Sequence, residues 1–368
     1  MIVLARPAPC IQSLIHNNPL MPSKLNLCQY RLGRHALLSS LVSLGLISGD
    51  SVIIPAYMCD SSINPLRMYG LKLVFMDVDK NMKLPVDVVK QLIEKDDSIK
   101  AVLVVHYFGL TKNIDEIVKM CHGYGIKVVE DASHSFLSHS LSDSASTRGD
   151  AEVFSIRKSL PVPDGGASKI NNNTLARKDI FPCVSLSGEL KYLGVRALEK
   201  LASVLGINVY SNSIDSIKKT VRSLNKKIDH MDIDANICKA SWQLRRYLND
   251  EQYLRKSQCA ISENFNKLNK ILCSLGFRTF VESDENLVAP QACVVFDDKG
   301  GLTRYLRKNG IGAWSWPGEE IPQEVIRHKE KYPNSVFFNK NLVLVPIHQD
   351  LNDKSIEYII QVFSKLDL

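Results

Sequence analysis

The chain has 368 residues, of which 45% are hydrophobic and 23% are charged. This composition predicts a globular protein with a large buried core and two domains, and it excludes an intrinsically disordered chain. The formal net charge is +7, and the basic residues are scattered in short groups. We therefore expect a mildly basic surface or a basic cleft for anionic substrates, and no nucleic-acid-binding module.

The cysteines and the N-terminus argue against a secreted or membrane protein. There are nine cysteines, an odd number, and no CxxC pair, so we expect neither a disulfide framework nor a metal site. The N-terminal MIVLARPAPC is a poor signal peptide because prolines interrupt it, and no apolar run reaches the roughly 18 residues of a membrane span. A cytoplasmic protein is the simplest expectation.

Helical and extended patterns alternate with short links between residues 30 and 170. Apolar residues have helical spacing in 36–47, 84–95 and 114–125. Extended segments rich in β-branched residues are 49–57, 71–78, 101–108, 126–132 and 151–156. This alternation predicts an α/β fold with a mostly parallel central sheet and helices on both faces. Ligands of such sheets bind beyond the carboxyl ends of the strands.

The C-terminal part predicts a smaller α/β domain. Helical fragments occur in 171–235, and residues 237–276 predict two helices or one kinked helix. Two strand patterns, 292–298 and 341–348, precede a last amphipathic helix. We place the large domain at 1–235 and the small domain at 236–368.

Two motifs near predicted strand and helix ends are candidates for ligand binding. In LGRHALL (32–38), Gly33 precedes a helix whose free N-terminal amides could bind a phosphate, although an ordinary helix start has the same pattern. In VVEDASH (128–134), Asp131 follows a buried strand and His134 comes three residues later. A buried carboxylate needs a cationic partner, unless Asp131 only caps a helix.

Two further motifs follow the next predicted strand. FSIRK (154–158) offers the hydroxyl of Ser155 and the amine of Lys158, although a lone lysine is usually a surface residue. PDGG (163–166) allows positive φ and a close approach of the backbone to a ligand, or forms a plain turn. Taken together, the four motifs suit a ligand with a phosphate, an aromatic ring nitrogen and an aldehyde, which is pyridoxal phosphate. Lys158 would form the Schiff base, and Asp131 would keep the ring nitrogen protonated.

The same region resembles a known family. GDSVIIPAYMC is similar to GDEVIVPSYTF, LKLVFMDVD to GATPVFVDVD, IKVVEDASH to IAVIEDAAQ, and KSLPVPDGG to KNLTTGEGG. These are motifs of the DegT/StrS sugar aminotransferases, which have the fold-type I architecture of pyridoxal-phosphate transferases. The resemblance covers about residues 30 to 170, and the C-terminal half is similar only in outline.

The resemblance implies a role for each matched residue. Lys158 matches the Schiff-base lysine, Asp131 the partner of the pyridine nitrogen, and His134 the residue that touches the ring hydroxyl. The phosphate-binding positions match Gly33, Arg34, His35 and Ser155. Cys59 stands where many members stack an aromatic ring on the cofactor. The family's GYNYRM segment is absent between 171 and 240, where Asn236 is the nearest counterpart of its asparagine.

The implied activity is transfer of an amino group from an amino acid, usually glutamate, to a keto-sugar. The resemblance further implies a nucleotide-linked sugar, a role in surface-polysaccharide or other amino-sugar biosynthesis, and a homodimer. Two alternatives remain open: a non-catalytic relative that binds a ligand or partner, and an aminotransferase for a non-sugar carbonyl compound. Trp314 and Trp316 could line the substrate mouth or pack the small domain, and His106 could face the site or the core.

Overall fold

The computed structural model describes residues 1–9, 25, 27–110, 114–140, 148–171, 186–210, 241–281 and 289–366. The elements of the fold are given within these ranges. The predicted domain boundary near residue 235 and the candidate Asn236 lie outside the described residues.

A mixed sheet forms the centre of the N-terminal part. Its strands in the described chain are β1 (Cys28–Tyr30), β2 (Ser51–Pro55), β3 (Lys72–Met76), β4 (Ile99–Val105), β5 (Lys127–Asp131), β6 (Ala151–Ser155) and β7 (Gly166–Ile170). They are hydrogen-bonded in the order β1-β7-β6-β5-β4-β2-β3. Strands β2 to β6 pair in parallel, whereas β7 is antiparallel to β6 and β1 antiparallel to β7. The predicted mostly parallel sheet is confirmed.

Helices cover this sheet and form most of the rest. In chain order they are α1 (Gly33–Ser43), α2 (Asp60–Tyr69), α3 (Val86–Lys95), α4 (Asp115–Gly123), α5 (Phe136–Ser140), α6 (Leu186–Val204), α7 (Trp242–Leu248), α8 (Glu251–Ser274), α9 (Leu302–Lys308), α10 (Gln323–Arg327), α11 (Pro333–Asn341) and α12 (Asp353–Phe363). Every residue of β2 and β6 is buried, so both faces of the sheet are covered, as the β-branched runs predict.

The C-terminal part is smaller and has its own two-stranded antiparallel sheet, β8 (Ala292–Phe296) with β9 (Leu342–Pro346). The helical pattern of 237–276 resolves, from residue 241 onward, into α7 and α8. They are separate helices because Asp250 caps α8 by accepting a hydrogen bond from the Tyr253 amide. Among the described helices, none combines the length and apolar character needed to span a membrane.

Candidate active site

A cavity opens at the carboxyl ends of β5 and β6, next to the first turn of α1. Its empty volume is about 460 Å³, including the solvent at its open mouth. Its polar lining consists of Gly33, Arg34, Ser61, Ser62, Asp131, Ser133, Ser155, Arg157 and Lys158. Residues from four separate segments of the sequence therefore meet at the edge of the sheet where ligands are expected.

Lys158 lies at the end of a short 3₁₀ turn, Ile156–Lys158, that directly follows β6. Burial lowers the pKa of its amine to about 8; the carboxylate of Asp131 opposes this shift, and the guanidinium of Arg157 adds to it. A substantial fraction of the amine is therefore neutral near physiological pH. A neutral amine is the form that attacks a carbonyl carbon.

His134 is the nearest polar neighbour of that amine. Its Nε2 atom lies 2.8 Å from Lys158 Nζ, and its Nδ1 atom accepts a hydrogen bond of 3.0 Å from the backbone N–H of Phe108. The Phe108 ring stacks on the imidazole at an interplanar angle of 6°, and the Trp316 ring meets it edge-on. Burial, together with the charge of Lys158, lowers the pKa of His134 well below its ordinary value, so the imidazole is neutral.

Asp131 is the last residue of β5 and is buried. Its Oδ1 accepts a hydrogen bond of 2.9 Å from the backbone N–H of Ser133, and its carbonyl accepts one from the His106 amide. The neighbouring Glu130 is also buried, and its carboxylate lies 2.8 Å from His106 Nε2. His106 therefore packs in the core with Glu130, while Asp131 lines the cavity, as alternation along a strand requires.

The other end of the cavity is suited to an anion. Helix α1 starts at Gly33, and its N-cap residue Leu32 has no side-chain acceptor for the first amides. A Cβ atom on Gly33 would lie 3.2 Å from Ser155 Cβ and 3.5 Å from Ser133 Oγ, so the glycine brings the helix start close to two hydroxyls. Arg34 and Arg157 line the same cavity. Amides, hydroxyls and cations together favour a phosphate.

A segment from the C-terminal part contacts the loop that follows β2. The Glu320 carboxylate accepts hydrogen bonds of 3.0 Å from the Cys59 thiol and from the Ser61 hydroxyl. Burial and this carboxylate raise the pKa of Cys59, so its thiol stays protonated. On the same segment, the ring of Trp316 lies 5.9 Å from Lys158 Nζ. Trp316 therefore packs beside the amine.

The predicted residues thus fall into three groups. Gly33, Arg34, Asp131, Ser155 and Lys158 line the cavity, and His134 and Cys59 contact its lining. Of the described residues, His35 is not among those that line it. Sequence reasoning missed Ser61, Ser62 and Ser133; hydroxyls at the start of α2 and inside the EDASH motif were the available signals.

Comparisons with known proteins are consistent with this geometry. Residues 31–364 match the sequence model of the DegT/DnrJ/EryC1/StrS aminotransferase family. A GDP-perosamine synthase from Escherichia coli O157:H7 is 30% identical over 146 residues, which span 39% of this chain and only 40% of that protein.

Solved structures share the fold at low identity. A DegT DnrJ EryC1 StrS aminotransferase from Brucella abortus is 18% identical, with a TM-score of 0.64 over 92% of this chain and 84% of that one. Helicobacter pylori PseC, an aminotransferase involved in the biosynthesis of pseudoaminic acid, is 15% identical, with a TM-score of 0.65 over 92% of this chain and 86% of that one. The expected fold class is confirmed.

Proposed function

The chain belongs to the DegT/DnrJ/EryC1/StrS aminotransferase family, and from this premise we propose that it uses pyridoxal phosphate to transfer an amino group from glutamate to a nucleotide-linked keto-sugar. The observation that carries the proposal is that Lys158 and Asp131 line one cavity. They are the two residues whose motifs match the family's lysine and aspartate. A lone surface lysine would have neither the burial nor the lowered pKa.

The donor set of the cavity fits pyridoxal phosphate. The first amides of α1, with Arg34, Ser133 and Ser155, would hold the phosphate. Asp131 would accept a hydrogen bond from the protonated ring nitrogen, and His134 would contact the ring hydroxyl. When bound, the group supplies an aldehyde that condenses with amines and a ring that withdraws electrons from the substrate.

Lys158 would move the proton in the reaction. Its pKa of about 8 is close to the working pH, which is optimal for a group that must both accept and return a proton. Nζ would take the proton from the α-carbon of the amino donor and return it on the cofactor side. Trp316, beside Nζ, would exclude water from one face of this transfer.

The substrates are inferred from charge and from the relatives. Arg157 adds to the cavity lining a cationic residue that would attract the carboxylates of glutamate or the phosphates of a sugar nucleotide. The names of the GDP-perosamine synthase and of PseC support an amino-sugar product. We further propose a role in polysaccharide biosynthesis, a cytoplasmic location and a homodimer.

The test begins with the purified protein and added pyridoxal phosphate. We expect an absorption band near the visible edge that borohydride abolishes, and a reduced adduct that mass spectrometry finds on Lys158. The variant Lys158→Ala should form no adduct, whereas the control Lys119→Ala, at an exposed site on α4, should behave like the wild type. A protein that stays colourless and binds no cofactor would instead favour the non-catalytic relative.

The second step identifies the substrates. Glutamate should convert the loaded enzyme to its pyridoxamine form, and keto-sugars with and without a nucleotide should then be tested for recovery of the original spectrum. Recovery with a sugar nucleotide is the expected result. Recovery only with a non-sugar ketone or aldehyde would overturn the sugar assignment while leaving the aminotransferase assignment intact.

A further inference from the structure

Two hydrogen bonds in series connect a backbone amide to the reactive amine. The Phe108 N–H donates to His134 Nδ1 over 3.0 Å, and His134 Nε2 lies 2.8 Å from Lys158 Nζ. Because Nδ1 accepts, it carries no proton, and a neutral imidazole must then carry its proton on Nε2. In the second hydrogen bond the histidine is therefore the donor. Lys158 can accept it only with the lone pair of an uncharged amine.

We propose that His134 is a positioning residue that donates its Nε2–H to Lys158 and so holds the amine neutral before the cofactor arrives. The inference rests on the proposed function for its catalytic meaning, because a neutral amine is what an aldehyde needs. The hydrogen bonds themselves are a property of the protein without cofactor. They can be tested separately from transamination.

The opposite arrangement is unfavourable. For an ammonium on Lys158 to donate to Nε2, the imidazole proton would have to sit on Nδ1. That proton would then face the N–H of Phe108, and two donors would meet across 3.0 Å. A buried donor without an acceptor is costly, so the backbone amide selects the Nε2–H form.

The backbone around Phe108 is built to present this amide. Phe108 has φ of 57°, in the left-handed region that bulky residues rarely occupy. Gly109 follows with φ of 90°, and a Cβ there would lie 2.7 Å from Pro290 Cα. The Phe108 ring stacks on the imidazole, and the Trp316 ring meets both rings edge-on, with its centroid 5.0 Å from that of His134 and 5.8 Å from that of Phe108. The ring of His134 is thus fixed in orientation.

Other charged groups also affect the protonation of the Lys158 amine. Asp131 on β5 favours the charged amine, and Cys59 after β2 would do so only as a thiolate, whereas Arg157 on its own turn and Arg6 in the N-terminal segment favour the neutral form. Burial is the largest influence. The hydrogen bond from His134 acts in the same direction as burial and as the two arginines. It differs from them in also fixing where the lone pair points.

The experiment measures the titration of Lys158 in the protein without cofactor. Short pulses of acetic anhydride over a range of pH, followed by peptide mass spectrometry, give the midpoint for Lys158, and the exposed Lys119 monitors reagent activity. The variant His134→Phe keeps an aromatic ring against Phe108 but removes the donor. Loss of one hydrogen bond should raise the midpoint by about 0.7 unit from the wild-type value near 8. An unchanged or lower midpoint would overturn the proposal, because an ammonium that donates to His134 would lose its acceptor.

A second measurement covers the case in which His134→Phe does not fold. Nitrogen-15 NMR of labelled histidine in the wild-type protein reports which ring nitrogen carries the proton, and contacts to the Trp316 ring identify the His134 signal. We expect a protonated Nε2 and an unprotonated Nδ1 at pH 9, where an amine with a pKa of about 8 is mostly neutral. The reverse tautomer, or an imidazolium, would refute the proposal. Failure of transamination with this tautomer in place would count against the proposed function alone.

Discussion

Gly166 offers the sharpest test of how the anion-binding end of the cavity is built. A Cβ atom at this position would lie 2.2 Å from the carbonyl carbon and oxygen of Leu32 and 2.6 Å from the Gly33 nitrogen. Ordinary contact needs about 3.5 Å, so Gly166→Ala must push the start of α1 away by ~1.3 Å. The displaced atoms are backbone, and no rotamer change can relieve the contact. The substitution therefore moves the first amides of α1 relative to Ser155.

The substitution should weaken both the stability of the fold and the binding of the cofactor, by similar free energies. Overpacking of this kind costs about 1–3 kcal/mol of unfolding free energy, and losing one charge-assisted hydrogen bond to the phosphate, worth about 1.5–3 kcal/mol, should raise the Kd of pyridoxal phosphate ~10- to 100-fold. Urea unfolding and absorbance titration measure the two quantities. The control Gly123→Ala places its Cβ in open space and should leave the Kd unchanged without lowering stability. Wild-type Kd and stability in Gly166→Ala would show that the close approach is not needed.

Three further predictions concern single side chains. Asp131→Asn should raise the Kd of pyridoxal phosphate about 10- to 100-fold, because a charge-assisted hydrogen bond is lost. It should also lower the pKa of Lys158, because the carboxylate of Asp131 raises that pKa. An unchanged Kd would contradict the assignment of Asp131 to the ring nitrogen. The amine of Lys158 has a pKa near 8 when folded and about 10.4 when unfolded, so between these values the unfolded state binds more protons and stability rises with pH. We therefore compare the unfolding free energies of the wild type and of Lys158→Met, both without cofactor. The difference between them should grow in favour of the wild type by on the order of 2 kcal/mol from pH 7 to pH 10, after allowance for partial exposure. A difference that does not change with pH would refute the lowered pKa of Lys158. The Asp77 carboxylate accepts hydrogen bonds from the backbone amides of Asn334 and Ser335 and from the Ser335 hydroxyl. Asp77→Ala should lower the unfolding free energy measured in urea by about 2–4 kcal/mol, whereas the same change at the exposed Asp97 should lower it little. Equal losses would refute a role of Asp77 in joining α11 to the sheet.

The sheet and its ligand edge were predictable because they depend on local patterns. Apolar runs such as 101–108 are long enough to be buried on both faces, and amphipathic helices separate them. Parallel strands then place Asp131 and Lys158 at the same edge, whatever the details of packing. The shared edge of Asp131 and Lys158 therefore follows from the alternation of strands and helices.

The position of Trp316 beside Lys158 was not predictable in the same way. Trp316 lies more than 150 residues from the lysine in the sequence, and the IGAWSWPG pattern suits small-domain packing equally well. Its place depends on long-range contacts, such as the hydrogen bond from Tyr57 Oη to the Trp316 carbonyl. The αL conformation of Phe108 was missed for another reason: positive φ in an aromatic residue is set by tertiary packing, and no local propensity indicates it.

The aromatic contacts between the N-terminal and C-terminal parts determine which truncated forms of the chain can be produced. Tyr57 is fully buried, and part of its cover comes from Trp316 and Phe338, whose ring centroids lie 5.1 and 5.8 Å from its own. A recombinant fragment that ended near residue 170 would keep every motif quoted for the family, but it would expose the Tyr57 ring to solvent. We expect such a fragment to aggregate, so removing the C-terminal half should not give a usable cofactor-binding module.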